Sequence, residues 1–272
     1  MIISQLREAV HGPDGDADPA HRRVQRHRPG PGVRAGGGGA RLAIAARRRD
    51  ELESAADEIA ARGGTRPLVF GADLSRAGAA AELGREAVAA LGSVQVLVNN
   101  AGAGLVGTQA ELGDGEAARA LFETNFWSPI ALTRAVLPAL RDGGGGGLVV
   151  NVTSTLQSVP IPTLGYYGAA KAALGHATRT LRNELRGTGV RVLEVVPGAT
   201  DTATRDVDLL PWRNGPVRTP PPVSPESAAR AIVRAIEGGA RRRAHPATSL
   251  VPLEVPAAGR LIASFVARRV DT

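Results

Sequence analysis

The sequence predicts an α/β fold in which a doubly wound parallel β-sheet is covered by helices on both faces. Two observations predict it. From residue 41 onward, short apolar runs alternate with longer stretches of helical periodicity. The strand runs are nearly continuous in Val, Leu, Ile and Ala, as strands buried on both faces must be. At 272 residues the chain can bury one large α/β core or two small ones. Aromatic residues make up only 3%, so that core rests on Ala, Val and Leu.

Each element has its own signal. Residues 42–46 (LAIAA) form a short apolar run fit for a buried strand. A helix follows over residues 50–61, with Leu52, Ala55, Ala56 and Ile59 on one face. Residues 67–70 are the next strand, which leads to Asp73. Residues 79–91 read as helix, and residues 94–98 as a strand running into Asn99-Asn100-Ala101-Gly102. A long helix is expected over 116–140. After the glycine run 143–147 comes the strand 148–152, then a helix carrying Tyr167 and Lys171 to about residue 185. Residues 190–196 form a further strand, stopped by Pro197-Gly198. The polar, proline-rich stretch 203–223 predicts a mobile loop. Ser224-Pro225-Glu226 is a helix start, with serine as N-cap and proline in the first turn, and that helix runs to about residue 236. The last 25 residues are mildly amphipathic.

Composition excludes several function classes. Without cysteine there is no disulfide framework and no thiolate metal site, and His11, His21, His27, His176 and His245 show no metal-ligand spacing. No run reaches the roughly 18 apolar residues needed to cross a bilayer, and no apolar run follows a basic start as in a signal peptide. The cytoplasm is the expected location, without a membrane partner. A net charge of +7 would suit nucleic acid. However, the arginines are scattered and stacking aromatics are nearly absent, so nucleic-acid binding is not expected.

The chemistry concentrates around one residue. Lys171 is the only lysine among 33 basic residues, and it lies four residues after Tyr167. Tyr166 and Tyr167 are in turn the chain's only tyrosines. Positions i and i+4 share a helix face, so a phenol and an ammonium point into one site. The ammonium favours the phenolate, lowering a tyrosine pKa from its reference of about 10. Arginine offers charge but a rigid planar fork instead of a compact head on a flexible stem.

Further residues fall into register with this pair. Asn99-Asn100-Ala101-Gly102 follows a strand, Asn125 sits within a helix, and Ser154 ends the strand Asn151-Val152-Thr153 thirteen residues before Tyr167. Pro197-Gly198 and Thr202 follow a later strand. On these motifs, residues 41–205 closely resemble the short-chain dehydrogenase/reductases, NAD(P)-dependent oxidoreductases on a Rossmann sheet. The resemblance implies a catalytic set of Asn125, Ser154, Tyr167 and Lys171. Tyr167 is the expected general acid toward a carbonyl oxygen, and Lys171 lowers its pKa and binds the nicotinamide ribose. Ser154 holds the substrate oxygen, and Asn125 fixes a water in the proton path. Expected cofactor contacts are Arg47, Asp73, Leu74, Asn100, Gly102, Tyr167, Lys171, Pro197, Gly198 and Thr202. Relatives that prefer NAD place an acid at the end of the second strand. Here Ala46 is followed by Arg47 and Arg48, which suits the extra phosphate of NADP. The partner is a small carbonyl or alcohol, the loop 203–223 shapes its pocket, and a homo-dimer or homo-tetramer is expected. A non-catalytic binding or scaffold protein that keeps this tetrad is the competing reading.

One departure from the family is large. Its first strand, glycine-rich phosphate turn and first helix belong in the 35 or so residues before Leu42. Residues 11–40 contain no Leu, Ile, Phe or Met. They cannot supply a buried central strand, nor can the run Gly36–Gly39 form the helix. Without the turn, no helix N-terminus is offered to a pyrophosphate. Codons for His21 to Arg28 that end in G or C except CAT for His27, read one base later, permit Thr-Gly-Ala-Ser-Ser-Gly-Ile-Gly, the missing turn. The expected organisation is therefore an aberrant, disordered segment 1–40, out of frame until its glycine run, followed by a Rossmann domain over 41–272. A genuinely divergent N-terminal arm is the alternative.

Overall fold

Strands form where the chain offers consecutive apolar residues, and every ladder between them runs parallel. The computed structural model describes residues 40–142, 146–199, 210–215 and 222–271. In chain order these contain β1 (Ala43–Ala46), α1 (Arg49–Ala61), β2 (Leu68–Gly71), α2 (Ala79–Leu91) and β3 (Val96–Asn99). Next come α3 (Gln109–Leu112), α4 (Glu116–Phe122), a π-helical turn (Glu123–Trp127) and α5 (Ser128–Asp142). Then follow β4 (Leu148–Val152), a 3₁₀ turn (Thr155–Gln157), α6 (Gly165–Glu184) and β5 (Arg191–Pro197). The last elements are α7 (Pro225–Glu237), β6 (Arg242–His245), a 3₁₀ turn (Ala247–Leu250), α8 (Val251–Glu254) and α9 (Pro256–Ala267).

The four strands β3-β4-β5-β6 form one sheet in that order. Because side chains alternate along a strand, the sheet has two apolar faces. On one, Val98, Leu148, Val150, Leu193 and Val195 pack against Ala229, Ile232 and Ala235 of α7. On the other, Leu97, Val149 and Val192 meet Ala80 of α2 and Leu132, Val136 and Leu140 of α5. This is the expected doubly wound, Rossmann-like arrangement.

β1 and β2 pair only with each other. They are covered by Leu52, Ala55 and Ala56 of α1. Arg41, just before β1, donates to the carbonyls of Leu91 at 3.0 Å and Ala90 at 3.2 Å, tying this pair to the end of α2. Among the described residues no strand lies between β1 and β3, and Ala45, Val98 and Asn99 line one cleft. Among the described residues the sheet is thus divided between β1 and β3. The expected segment 1–40 falls outside the described residues except for Ala40, as does most of the loop 203–223.

Several expected boundaries are corrected. The helix expected over 116–140 is α4 and α5 joined by a π turn at Glu123–Trp127. The strand expected at 94–98 begins at Val96 and reaches Asn99. β6 had no sequence signal, because Arg242-Arg243-Ala244-His245 is charged. It forms because β5 presents an open ladder, and the edge position leaves Arg243 in solvent. The C-terminal stretch, read only as mildly amphipathic, forms α8 and α9.

Helices α2 and α5 approach closely at Gly84, where an added Cβ would lie 2.7 Å from Ala135 Cβ and 3.1 Å from Leu132 Cδ1. Gly84→Ala gains about 1 kcal/mol of helix propensity, but overpacking costs about 1–3 kcal/mol. We expect a net loss of up to about 2 kcal/mol in urea denaturation. A more stable variant would mean that the two helices are not held this tightly.

Candidate active site

The parallel sheet delivers its candidate residues to one end, as this topology requires: sites lie beyond the carboxyl ends of the strands. Arg47 follows β1, Asp73 follows β2, Asn100 and Gly102 follow β3, Ser154 follows β4, and Pro197 and Gly198 end β5. Thr202 lies outside the described residues.

Lys171 is the anchor. It is buried in α6 at 3% exposure, and its Nζ donates to the carbonyl of Val152 at 3.0 Å. Val152 is the last residue of β4, so the bond joins the strand leading to Ser154 with the helix bearing Tyr167. The Lys171 ammonium lies 5.9 Å from the centroid of the Tyr167 ring. Burial lowers the Lys171 pKa from 10.5 to about 8.

Asn125 is fully buried in the π turn. A π turn widens the helix by one residue and recurs at functional positions. Here the Asn125 amide makes two bonds to one residue: Oδ1 accepts from Ala103 N at 2.8 Å, and Nδ2 donates to Ala103 O at 2.8 Å. The loop after β3 is thereby clamped. A Cβ on Gly102 would lie 3.5 Å from both Asn125 Oδ1 and Lys171 Nζ, so the three residues converge. That spacing is ordinary contact, and these two atoms do not demand glycine.

Ser154 is buried and caps the 3₁₀ turn, its Oγ accepting from Leu156 N at 3.2 Å. An accepting hydroxyl keeps its own proton to donate. Asp73 is exposed and accepts from Ser75 N at 3.0 Å and Ser75 Oγ at 2.7 Å. These bonds hold its carboxyl below the usual range, and Arg47 and Arg76 add to the effect. Arg47 and Asp73 thus occupy one electrostatic neighbourhood. Leu74 is half-buried beside Asp73, and its carbonyl accepts from Ser128 Oγ at 2.8 Å. Gly198 N donates to His245 O at 2.9 Å, and a Cβ at Gly198 would lie 2.7 Å from Ser249 Oγ and 3.1 Å from Pro246 Cδ.

Sequence reasoning missed a buried polar layer under the site. Asn99 Nδ2 donates to Asn151 Oδ1 at 2.8 Å, and Asn151 Nδ2 donates to Thr178 Oγ1 at 2.9 Å. Glu194 is fully buried in β5, paired with Arg242 at 3.0 Å and Arg179 at 3.6 Å. It also accepts from Thr153 Oγ1 at 3.4 Å and Gln157 Nε2 at 3.3 Å, residues on either side of Ser154. The signal was present: an acid interrupts an otherwise apolar strand in Val192-Leu193-Glu194-Val195-Val196.

The Lys171 shift has a definite sign. Between pH 8 and 10.5 the unfolded chain holds a proton on Lys171 that the folded chain has released. Stability therefore rises with pH across that window. Lys171→Met removes this contribution, so the two stability curves should diverge by up to about 3 kcal/mol from pH 8 to 10.5 in denaturant titrations. Parallel curves would show that the ammonium is not desolvated.

Comparison with known proteins fits this geometry. A family model for short chain dehydrogenases matches residues 34–209. 11-beta-hydroxysteroid dehydrogenase A of Sesamum indicum is 32% identical over 218 residues, covering 77% of this chain and 62% of that protein. Sulfoacetaldehyde reductase 2 of Chromohalobacter salexigens is 42% identical over 82 residues, covering 30% of this chain and 32% of its own length. The matched part thus spans less than two thirds of either relative. A short chain dehydrogenase from Burkholderia cenocepacia, solved in complex with NADP, superposes with a TM-score of 0.65 at 29% identity, covering 83% of this chain and 86% of that one. This chain belongs to the short chain dehydrogenase family.

Proposed function

We propose that this protein transfers a hydride between NADP(H) and a carbonyl or alcohol substrate, with Tyr167 as general acid and base. The observation that carries this reading is the buried Lys171. An isolated ammonium is costly to bury, and this one is held by Val152 O beneath the Tyr167 ring and next to Gly102. The residues present suit NADP. Arg47 is exposed beyond β1 without an acid in its place, Asp73 and Leu74 stand beyond β2, and Asn100, Gly102, Pro197 and Gly198 fringe the same end of the sheet. Thr202 completes this proposed contact set from sequence alone. The solved relative from Burkholderia cenocepacia holds NADP. When bound, NADPH supplies the hydride.

In the direction of reduction, Tyr167 gives its hydroxyl proton to the substrate oxygen as negative charge develops there. The nearby Lys171 ammonium favours the phenolate left behind. Ser154 donates its hydroxyl hydrogen to the same oxygen, which its acceptor bond from Leu156 N leaves free to do. Asn125 holds the loop of Gly102 and Ala103 in place, and the second lone pair of its Oδ1 can fix a water in the proton path. The proposal includes a cytoplasmic location and a homo-dimer or homo-tetramer, both from family resemblance. Nothing specific favours the non-catalytic scaffold.

We further infer that residues 11–40 are a dehydrogenase N-terminus read out of frame. Four observations support this. Those residues lack Leu, Ile, Phe and Met. Among the described residues no strand lies between β1 and β3. Asn99 Oδ1, at the end of β3, is buried without a hydrogen-bond partner among the described residues. The family match begins only at residue 34.

Two chains test both readings: the printed one, and one whose residues 12–40 follow the shifted frame. With NADPH at 100 times its Kd, the restored chain should gain about 2.7 kcal/mol of stability, and NADH should protect it less. The printed chain should gain far less than the restored one. Restoring the frame without any gain in stability or NADPH binding would overturn the frame inference. In the active restored chain, Tyr167→Phe should lower kcat about 10²–10⁴-fold while NADPH protection persists. Undiminished turnover would remove Tyr167 from the mechanism.

A further inference from the structure

The C-terminal pair α8 and α9 leaves an apolar surface in solvent. Among the described residues, large hydrophobic side chains more than about a third exposed are Leu68, Trp127, Val251, Val255, Leu261, Ile262 and Phe265. Five of these seven fall within the fifteen residues from Val251 to Phe265. Leu261 is the most exposed, at 72%. Leu261 and Ile262 precede Phe265 by four and three positions, so the three share one face of α9.

That face cannot roll inward. The opposite side of α9 is seated by small residues: Gly259 and Ala263 are buried, and a Cβ on Gly259 would lie 2.6 Å from the carbonyl of Ser158. Ala263 joins Val159, Ile161, Leu164 and Val270 in a separate apolar cluster. The exposed face is therefore a fixed feature of the fold.

Its charge is one-sided. Between Val255 and Val270 there are three arginines and no acid, and Glu254, between Val251 and Val255, is paired with Arg242 at 2.5 Å. Arg268 and Arg269 follow Phe265 by three and four positions, so they continue the apolar face at its C-terminal end. The Arg269 guanidinium stacks on the Phe265 ring at 3.7 Å and donates to Phe265 O at 3.1 Å. The neighbouring acid, Asp271, is already paired with Arg213 at 2.5 Å.

We propose that α9 docks this protein onto an anionic lipid surface, with Leu261, Ile262 and Phe265 entering the acyl boundary and Arg268 and Arg269 meeting headgroup phosphates. A bilayer offers both an apolar layer and a layer of anions at the matching depths. A second copy meeting the same patch offers an apolar layer, but no acid between Val255 and Val270 to pair Arg268 and Arg269. The charge distribution thus selects the bilayer. No single helix among the described residues is long and apolar enough to cross a membrane, and because the Gly259–Ala263 side of α9 is packed on the protein, the docked helix lies along the surface. The sequence expectation of no membrane partner rested on the lack of a spanning run, a criterion that does not test surface docking. One consequence rests on the reductase reading, although the docking does not. The cluster under α9 includes Leu156 and Leu164, beside the segments that carry Ser154 and Tyr167. Docking then sets the rim of the site against lipid, which suits an apolar carbonyl substrate dissolved in the membrane.

Vesicle flotation of the full chain tests the docking directly. Vesicles of equal phosphatidylglycerol and phosphatidylcholine should bind it at least tenfold more tightly than pure phosphatidylcholine, and added salt should weaken the binding. Arg268→Gln with Arg269→Gln should remove that preference, and Leu261→Asp with Phe265→Asp should reduce binding at least tenfold. Because the chain has no cysteine, Leu261→Cys carries a single environment-sensitive fluorophore and keeps the test independent of the double variant's folding. Its emission should shift to the blue on anionic vesicles. No flotation and no shift would overturn the proposal. A lipid-independent dimer that Phe265→Asp dissociates would overturn it in favour of a contact between copies.

Discussion

Desolvating one ammonium constrains much of the site. Removing a lysine head from water costs several kcal/mol unless the interior returns hydrogen bonds. At Lys171 the return comes from Val152 O, the last carbonyl of β4. That bond works only if α6 lies across the end of β4 with its first turn above the strand. The same placement sets Tyr167 over the lysine and brings the Ser154 turn alongside. Asn125 then closes the third side by holding Ala103 through both atoms of its amide. Three chain segments far apart in sequence are thus fixed by a few bonds around one buried charge.

The buried Glu194 extends this order beneath the site. A carboxylate in the middle of a sheet is tolerated because Arg242, Arg179, Thr153 and Gln157 surround it. Breaking such a set by removing one partner leaves an uncompensated charge, which is more costly than never having buried the pair. The network couples β5, β6 and the turn capped by Ser154, so that turn rests on a closed set of partners. The β1–β2 side differs. β1 and β2 form a two-stranded ladder of four residues each, and such a pair has little stability of its own. It depends on α1, on the Arg41 bonds to the end of α2, and on whatever fills the cleft next to β3.

The sequence made the α/β alternation, the strand runs and the helix faces legible, because burial on both sides of a parallel sheet forces apolar runs that no other fold explains as simply. The Tyr167–Lys171 pair could be picked out by its i, i+4 spacing and by the isolation of Lys171 among arginines, whereas Asn125 and Ser154 entered only through the family resemblance. Other features were not. The π turn at Glu123–Trp127 leaves no period of its own, since one inserted residue only shifts the helical register. β6 was invisible because an edge strand needs one buried residue, Ala244, and its arginines serve as partners or face solvent. The polar layer of Asn99, Asn151 and Thr178 could not be read because its members are brought together only by the register of β3 with β4 and of α6 above them. Exposure of the apolar face of α9 is likewise a tertiary fact: the same sequence packed a third of a turn differently would be an ordinary core helix.

The arginine bias and the single lysine share one physical explanation. On the surface, where a charge needs only water and an occasional carboxylate, a guanidinium serves as well as an ammonium, and 32 of the 33 basic positions here are arginine. At position 171 the requirements differ. The head must fit between Val152 O and Gly102 with one protein acceptor, and five fixed donors in a planar fork would leave most of them unsatisfied at 3% exposure. The head must also keep its charge if it is to favour a phenolate, and with burial bringing Lys171 down to about 8 it stays mostly protonated at neutral pH. Burial at this position thus excludes the residue favoured everywhere else in the chain and admits a compact ammonium held by a strand carbonyl.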